Sequence, residues 1–137
     1  MGRVKTKRIK CCLACTDKTN GGFIRNPVNG YQLEVKPWDC KSRFVVYVVR
    51  CRQCHVFYVG ETTTTITVRL EHHRCGDGFT TLLEHFEKLH PDTEIYKKIQ
   101  IYIVSDPIRT RRLRVEKQDA IAEEMRMNGL AVLNKKK

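Results

Sequence analysis

The longest apolar run in the chain is Phe44 to Val49, closed by Arg50 and Cys51. A strand buried on one face alternates, whereas one that is apolar at successive positions is covered on both. Residues 44–51 are therefore expected to form a central strand. Residues 56–60 supply the returning strand, and Ile99-Gln100-Ile101-Tyr102-Ile103-Val104 alternates as a third. Residues 1–10 read as a basic arm. Residues 11–43 read as irregular, with turn chemistry at Asn20-Gly21-Gly22, Asn26-Pro27 and Asn29-Gly30, and one short alternating stretch from Gly30 to Val35.

Between the strands the period changes to that of a helix. A helix is expected over 64–74, capped by one of Thr62 to Thr64. Its stripe is Ile66, Arg69, Leu70 and His73. Two polar residues on the face that meets the core mean either a cleft or a slightly rotated helix, since burying an unpaired arginine is costly. A second helix spans about 82–89, opened by the capping box Thr81-Leu82-Leu83-Glu84 and stopped by Pro91. Ser105-Asp106-Pro107 is a strong helix start, and Gly129 ends the last helix near Asn128. Leu113, Glu116, Ala120 and Glu123 or Glu124 share one side of it. Glu116 then lies between apolar positions, although a solvated helix glutamate is the plainer reading.

Strand, strand, helix, helix, strand, helix is the order of an α+β domain, a small antiparallel sheet flanked by helices. We divide the chain into an N-terminal extension, residues 1–43, and a folded domain, residues 44–137. No phosphate-binding glycine loop of the G-x-G-x-x-G or G-x4-G-K-[ST] type is present.

The chain of 137 residues is 41% hydrophobic, enough for one ordinary core. No apolar run approaches the 18 or so residues of a membrane span, and no apolar stretch follows the basic N-terminus as in a secretory leader. Net charge is +11, from 26 Lys+Arg against 15 Asp+Glu. The charge is clustered: Arg3, Lys5, Lys7, Arg8 and Lys10; Arg109, Arg111, Arg112 and Arg114; and Lys135 to Lys137. Such clusters favour a polyanionic partner, most simply nucleic acid.

Four of the seven cysteines form two C-x2-C pairs, Cys12/Cys15 and Cys51/Cys54. This is metal-knuckle spacing, with free or redox thiols and disulfides as the alternatives. A reducing compartment, nuclear or otherwise intracellular, is the expectation, with a disulfide framework the weaker reading. Cys51 and Cys54 fall in the hairpin between Tyr47 and Tyr58. A two-residue turn at Arg52-Gln53 would set Cys51 opposite Cys54 and Tyr47 opposite Tyr58. Arg-Gln is poor chemistry for such a turn, so a knuckle or a longer loop that shifts the register competes with it.

Val45-Val46-Tyr47 and Tyr58-Val59-Gly60, with Arg69 eleven residues after the second tyrosine, supply parts that phosphodiester hydrolysis needs. Arg69 can clamp a phosphate in a fork geometry. Tyr47, His73 or Tyr58 can move a proton, provided a cation lowers the tyrosine's pKa from its ordinary value near 10. One carboxylate can hold one Mg²⁺. The bland alternative is a hairpin with two packed tyrosines.

In these residues, over 45–134, the chain resembles the GIY-YIG nucleases, and most of all the endonuclease domain of Penelope-like retroelements. The two triplets are Val45-Val46-Tyr47 and Tyr58-Val59-Gly60, and Glu61-Thr62 completes a Tyr-Val-Gly-Glu-Thr form similar to that group. The resemblance implies a central sheet of three antiparallel strands. It also implies Mg²⁺- or Mn²⁺-dependent DNA cleavage, usually a nick, for retroelement insertion. It makes Tyr47 the general base and gives Tyr58 a hydrogen bond in the site. Arg69 stabilises the phosphorane, His73 assists proton transfer, Glu116 holds the metal and Asn134 supports the site.

Departures from the family pattern are Val45-Val46 in the first triplet and Val59 in the second, all β-branched. The resemblance further implies a structural Zn²⁺ held by Cys51, Cys54, His85 and His90, with His55, His72 and Cys75 as rival ligands. A second zinc on Cys12, Cys15, Cys40 and Cys11 would stabilise the N-terminal extension. The implied partners are DNA and a reverse transcriptase domain in a parent polyprotein. The alternative from another class is a zinc-stabilised nucleic-acid-binding module that has lost catalysis.

Overall fold

The structure, a computed structural model, describes residues 22–37, 41–65, 68 and 99–134. The elements are β1 (Phe23–Asn26), β2 (Tyr31–Glu34), β3 (Val45–Cys51), β4 (Phe57–Thr62), β5 (Ile99–Ile103) and helix α1 (Arg111–Met127). The described part is α+β. An antiparallel sheet of three strands in the order β4-β3-β5 stands beside the two-stranded β1-β2 hairpin. Of the expected helices over 64–74 and 82–89, only Thr64, Thr65 and Val68 are among the described residues; Val68 is helical, whereas Thr64 and Thr65 are not.

The apolar run makes the middle strand, as its two-faced pattern suggested, and Val45 to Val49 are all buried. One face of the sheet presents Val46 and Val48 beside Phe57 and Val59. Onto it pack Ile24, Val35, Val104, Ile121, Ala122 and Met125. The opposite face carries Val45, Tyr47, Val49 and Cys51, flanked by Tyr58, Thr62, Ile101 and Ile103, all buried.

Helix α1 begins four residues later than Asp106-Pro107 suggested, with Thr110 at its N-cap. The reason is tertiary. The Ser105 hydroxyl accepts the Val46 N–H at 3.0 Å, and Ile108 N–H bonds Phe44 O, so this segment stays against the sheet. The buried residues of α1 are Arg114, Ile121, Ala122 and Met125. The side holding Leu113, Glu116, Ala120, Glu123 and Glu124 is exposed, a correction to the face read from sequence.

Three apolar side chains are a thin anchor for seventeen helical residues, at roughly 1.5–3 kcal/mol for each large side chain fully buried. Polar clamps hold the two ends. At the C-terminus Gly129, at φ 86°, donates to Arg126 O, and Leu130 donates to Met125 O. This is the crossed pair of bonds that a left-handed glycine permits. Asn26 and Asn29, from the β1-β2 turn, both donate to Asn128 O, at 2.8 and 2.9 Å. Tyr31 donates to Glu124 at 2.5 Å. Residues 22–37 are thus more regular than their turn chemistry suggested, because the helix end gives the hairpin something to close on.

The tail after α1 closes one edge of the sheet. Phe57 N–H bonds Ala131 O at 2.8 Å, and Leu133 N–H bonds Phe57 O at 2.7 Å. Lys36 N–H bonds Ile103 O at 2.8 Å on the opposite edge.

Candidate active site

A five-residue connection, 52–56, joins β3 to β4. His55 N–H closes it on Cys51 O at 2.8 Å, and His55 takes a left-handed φ of 56°. Histidine is among the residues that enter this region most readily. The longer loop sets the register: Tyr47 pairs with Gly60, and Tyr58 with Val49. The tyrosines are therefore diagonal neighbours on one face rather than directly opposite. Their ring centroids are 6.5 Å apart and tilted by 55°. Tyr47 is 1% exposed and Tyr58 8%.

This register explains Gly60. A β-carbon there would stand 2.5 Å from both Cζ and the hydroxyl oxygen of Tyr47. Only a residue without a side chain lets the phenol lie across β4.

Asn134 holds the same motif from the edge. Its Oδ1 accepts the Val59 N–H at 2.8 Å, and its Nδ2 donates to Val59 O at 2.6 Å. The side-chain amide substitutes for a neighbouring strand's peptide and satisfies both outward groups of the triplet's middle residue. Arg126 in turn donates to Asn134 O.

Glu61 follows the motif on the helix-facing side of β4. Arg114 Nε meets its Oε1 at 2.7 Å, with Arg111 Nε 3.7 Å from Oε2. Arg114 is 1% exposed and also donates to Thr63 Oγ1 at 2.7 Å, Ile108 O at 2.8 Å and Arg109 O at 3.2 Å. A charge so deep is tolerable only when its donors are met in this way. In the sequence Arg114 reads as one of the basic cluster Arg109, Arg111, Arg112 and Arg114 that opens the helix. The signal that could have found it is its spacing from Ile121 and Met125, seven and eleven residues on, which puts it on the core face.

Glu116 is exposed on α1. Arg69 and His73 lie outside the described residues, as do His85, His90, Cys11, Cys12, Cys15 and Cys40. Thr65, rather than Thr62 to Thr64, accepts the N–H of the helical Val68, at 3.3 Å. Thr62 is occupied instead in a turn, accepting Thr64 N–H at 3.0 Å.

At the hairpin tip the sulfurs of Cys51 and Cys54 are 3.5 Å apart. Burial pushes the Cys54 thiol up, and the Cys51 sulfur beside it adds to the rise, against a smaller opposite pull from a backbone bond at Val56. That is the reverse of the depressed pKa a redox thiol needs. Two sulfurs on one tetrahedral zinc stand about 3.8 Å apart when each Zn–S bond is near 2.3 Å, so this pair fits two corners of such a site. No group of three or more metal-ligating side chains occurs among the described residues. No described helix is long and apolar enough to cross a membrane.

In comparisons with known proteins, no family model, no curated protein and no solved structure matches the chain.

Proposed function

We propose that the chain is a metal-dependent DNA endonuclease that hydrolyses phosphodiester bonds, with GIY-YIG-like chemistry suited to nicking target DNA for retroelement insertion. One observation carries the reading. Two elements outside β4 make three contacts with the Tyr58-Val59-Gly60 triplet: Tyr47 of β3 lies across Gly60 and stands diagonal to Tyr58, and Asn134 of the C-terminal tail grips Val59. An ordinary hairpin has no need of all three.

In this reading Tyr47, acting as a phenolate beside a cation, takes a proton from the nucleophile and Tyr58 orients it. Arg69 neutralises the phosphoryl oxygens and His73 assists the transfer. Glu116 supplies the single carboxylate on which a Mg²⁺ or Mn²⁺ can sit with its own waters. When bound, that ion would stabilise charge on the phosphate and leaving oxygen. A Zn²⁺ at Cys51 and Cys54, completed by His85 and His90, would brace the hairpin tip; Cys11, Cys12, Cys15 and Cys40 would hold a second in the N-terminal extension. The domain would act beside a reverse transcriptase, inside the cell.

Incubation with supercoiled plasmid and Mg²⁺ or Mn²⁺, beside Glu116→Ala and Arg69→Ala, tests this. The wild type should nick and both variants should lose at least a hundredfold in rate, the usual scale for a positioned catalytic group. An intact plasmid across metals, or equal nicking by the variants, refutes the assignment. Elemental analysis of protein purified without chelator should find zinc, and less of it in Cys54→Ser.

The burial of Tyr47 favours a second reading. At 1% exposure its hydroxyl meets a phosphodiester only if the structure opens. A zinc-stabilised nucleic-acid-binding module without catalysis needs no such opening, and the plasmid assay separates the two.

A further inference from the structure

The arginines at the start of α1 do not act as one group. Arg114 is buried against Glu61, whereas Arg109, Arg111 and Arg112 are exposed. A fourth exposed arginine joins them from the other side. Arg43 lies 5.2 Å and Arg109 4.9 Å from the centroid of the Phe44 ring, with Arg114 at 5.8 Å.

Phe44 itself sits at φ 60°. A bulky residue holds that conformation only where its surroundings impose it. The ring gives the two exposed guanidiniums a common neighbour and limits the rotamer freedom they would lose on binding.

The first turn of α1 contains no acidic residue, and the Thr110 side chain makes no capping bond. Glu61 is engaged by Arg114 at 2.7 Å and leaves Arg111 only a 3.7 Å approach. Cations at a helix N-terminus oppose the helix dipole, so the cluster is unfavourable for the isolated fold. It becomes favourable when a polyanion lies across it.

We propose that Arg43, Arg109, Arg111 and Arg112, organised around Phe44, form the clamp that holds the phosphate backbone of duplex DNA. The choice of DNA among polyanions rests on the nuclease reading; the clamp rests on the cluster. Phosphate clamps of this kind fix position on the duplex and read no sequence.

The test is binding of a labelled DNA duplex across a salt titration, with Ca²⁺ in place of Mg²⁺. Arg109→Ala with Arg112→Ala should weaken binding roughly tenfold or more and flatten the slope of log K against log salt by about 2, at about 0.9 for each phosphate no longer neutralised. Arg25→Ala with Arg52→Ala removes the same charge from exposed sites elsewhere and should alter the slope by less than about half of that. Arg109→Lys with Arg112→Lys should restore most of the slope, which separates a weakened grip on phosphate from a misfolded helix.

Equal losses from the two alanine pairs, or no binding by the wild type, overturn the clamp. Binding that depends on the cluster in a protein that never nicks supports the clamp and removes the nuclease reading. Nicking by a protein whose cluster variants bind undiminished removes the clamp alone.

Discussion

The phenol of Tyr47 rests on the α-carbon of Gly60, so close that a β-carbon there would fall 2.5 Å from the ring and its hydroxyl. With Tyr47 1% exposed, the ring has nowhere to retreat. Gly60→Ala should cost roughly 2–3 kcal/mol, the usual range for forcing extra volume into a packed core. Urea denaturation checks it. In a Tyr47→Leu background the same glycine change should cost much less, because the atoms that clash are gone.

Arg114 and Glu61 make a second pair whose partners depend on each other. Arg114→Met leaves the Glu61 carboxylate, 13% exposed, without its 2.7 Å partner and should destabilise by about 3 kcal/mol. Arg114→Met combined with Glu61→Leu should be less damaging than the sum of the single changes, since an apolar pair needs no desolvation. A double-mutant cycle measures the difference.

Asn134→Ala removes both bonds to Val59 and should cost about 1–3 kcal/mol, with faster hydrogen exchange at the Val59 amide. Asn134→Asp keeps an acceptor for the N–H but sets a carboxylate against Val59 O, and should be the worse variant. If exchange at Val59 is unchanged in both, the amide does not hold the edge in solution.

Tyr31 gives a pH dependence with a definite sign. Burial holds its hydroxyl above the ordinary value of 10.0, and the bond to Glu124 raises it further. The folded chain therefore keeps a proton that the unfolded chain gives up. Stability from this group is whole below pH 10 and falls as pH rises above it. Tyr31→Phe should flatten that alkaline decline without abolishing it. Burial also raises Tyr102, against the opposing pull of Arg50 and Arg52.

How much of this the sequence foretold differed by element. The three strands of the central sheet and the middle position of β3 followed from the apolar run and its flanking alternations, because burial on two faces leaves a pattern that few other structures produce. The end of α1 at Gly129 was equally plain. The register was not, since it depends on a loop whose length is set by a left-handed His55 rather than by turn-forming residues. The helix start was displaced because the segment before it is tied to the sheet, by Ser105 at the Val46 N–H and by the Ile108 N–H at Phe44 O. Arg114 was hidden by its charge, which argues for solvent until Glu61 is known to face it. Strand β1 went unread because its hairpin closes against Asn128, a hundred residues away in sequence. Of the candidate site, the tyrosines, Gly60 and Asn134 were legible as a spaced motif, but their diagonal geometry was not.

The sheet edge sealed by residues 131–134 has a consequence for synthesis on the ribosome. Phe57 and Val59 display open backbone groups from the moment β4 pairs with β3, and the chain that covers them is made some seventy residues later. At about 5–20 residues per second, that edge stays bare for several seconds, a template for pairing with other nascent chains. Removal of residues 131–134 would leave it so permanently, and self-association rather than simple unfolding is the expected fate of such a truncation.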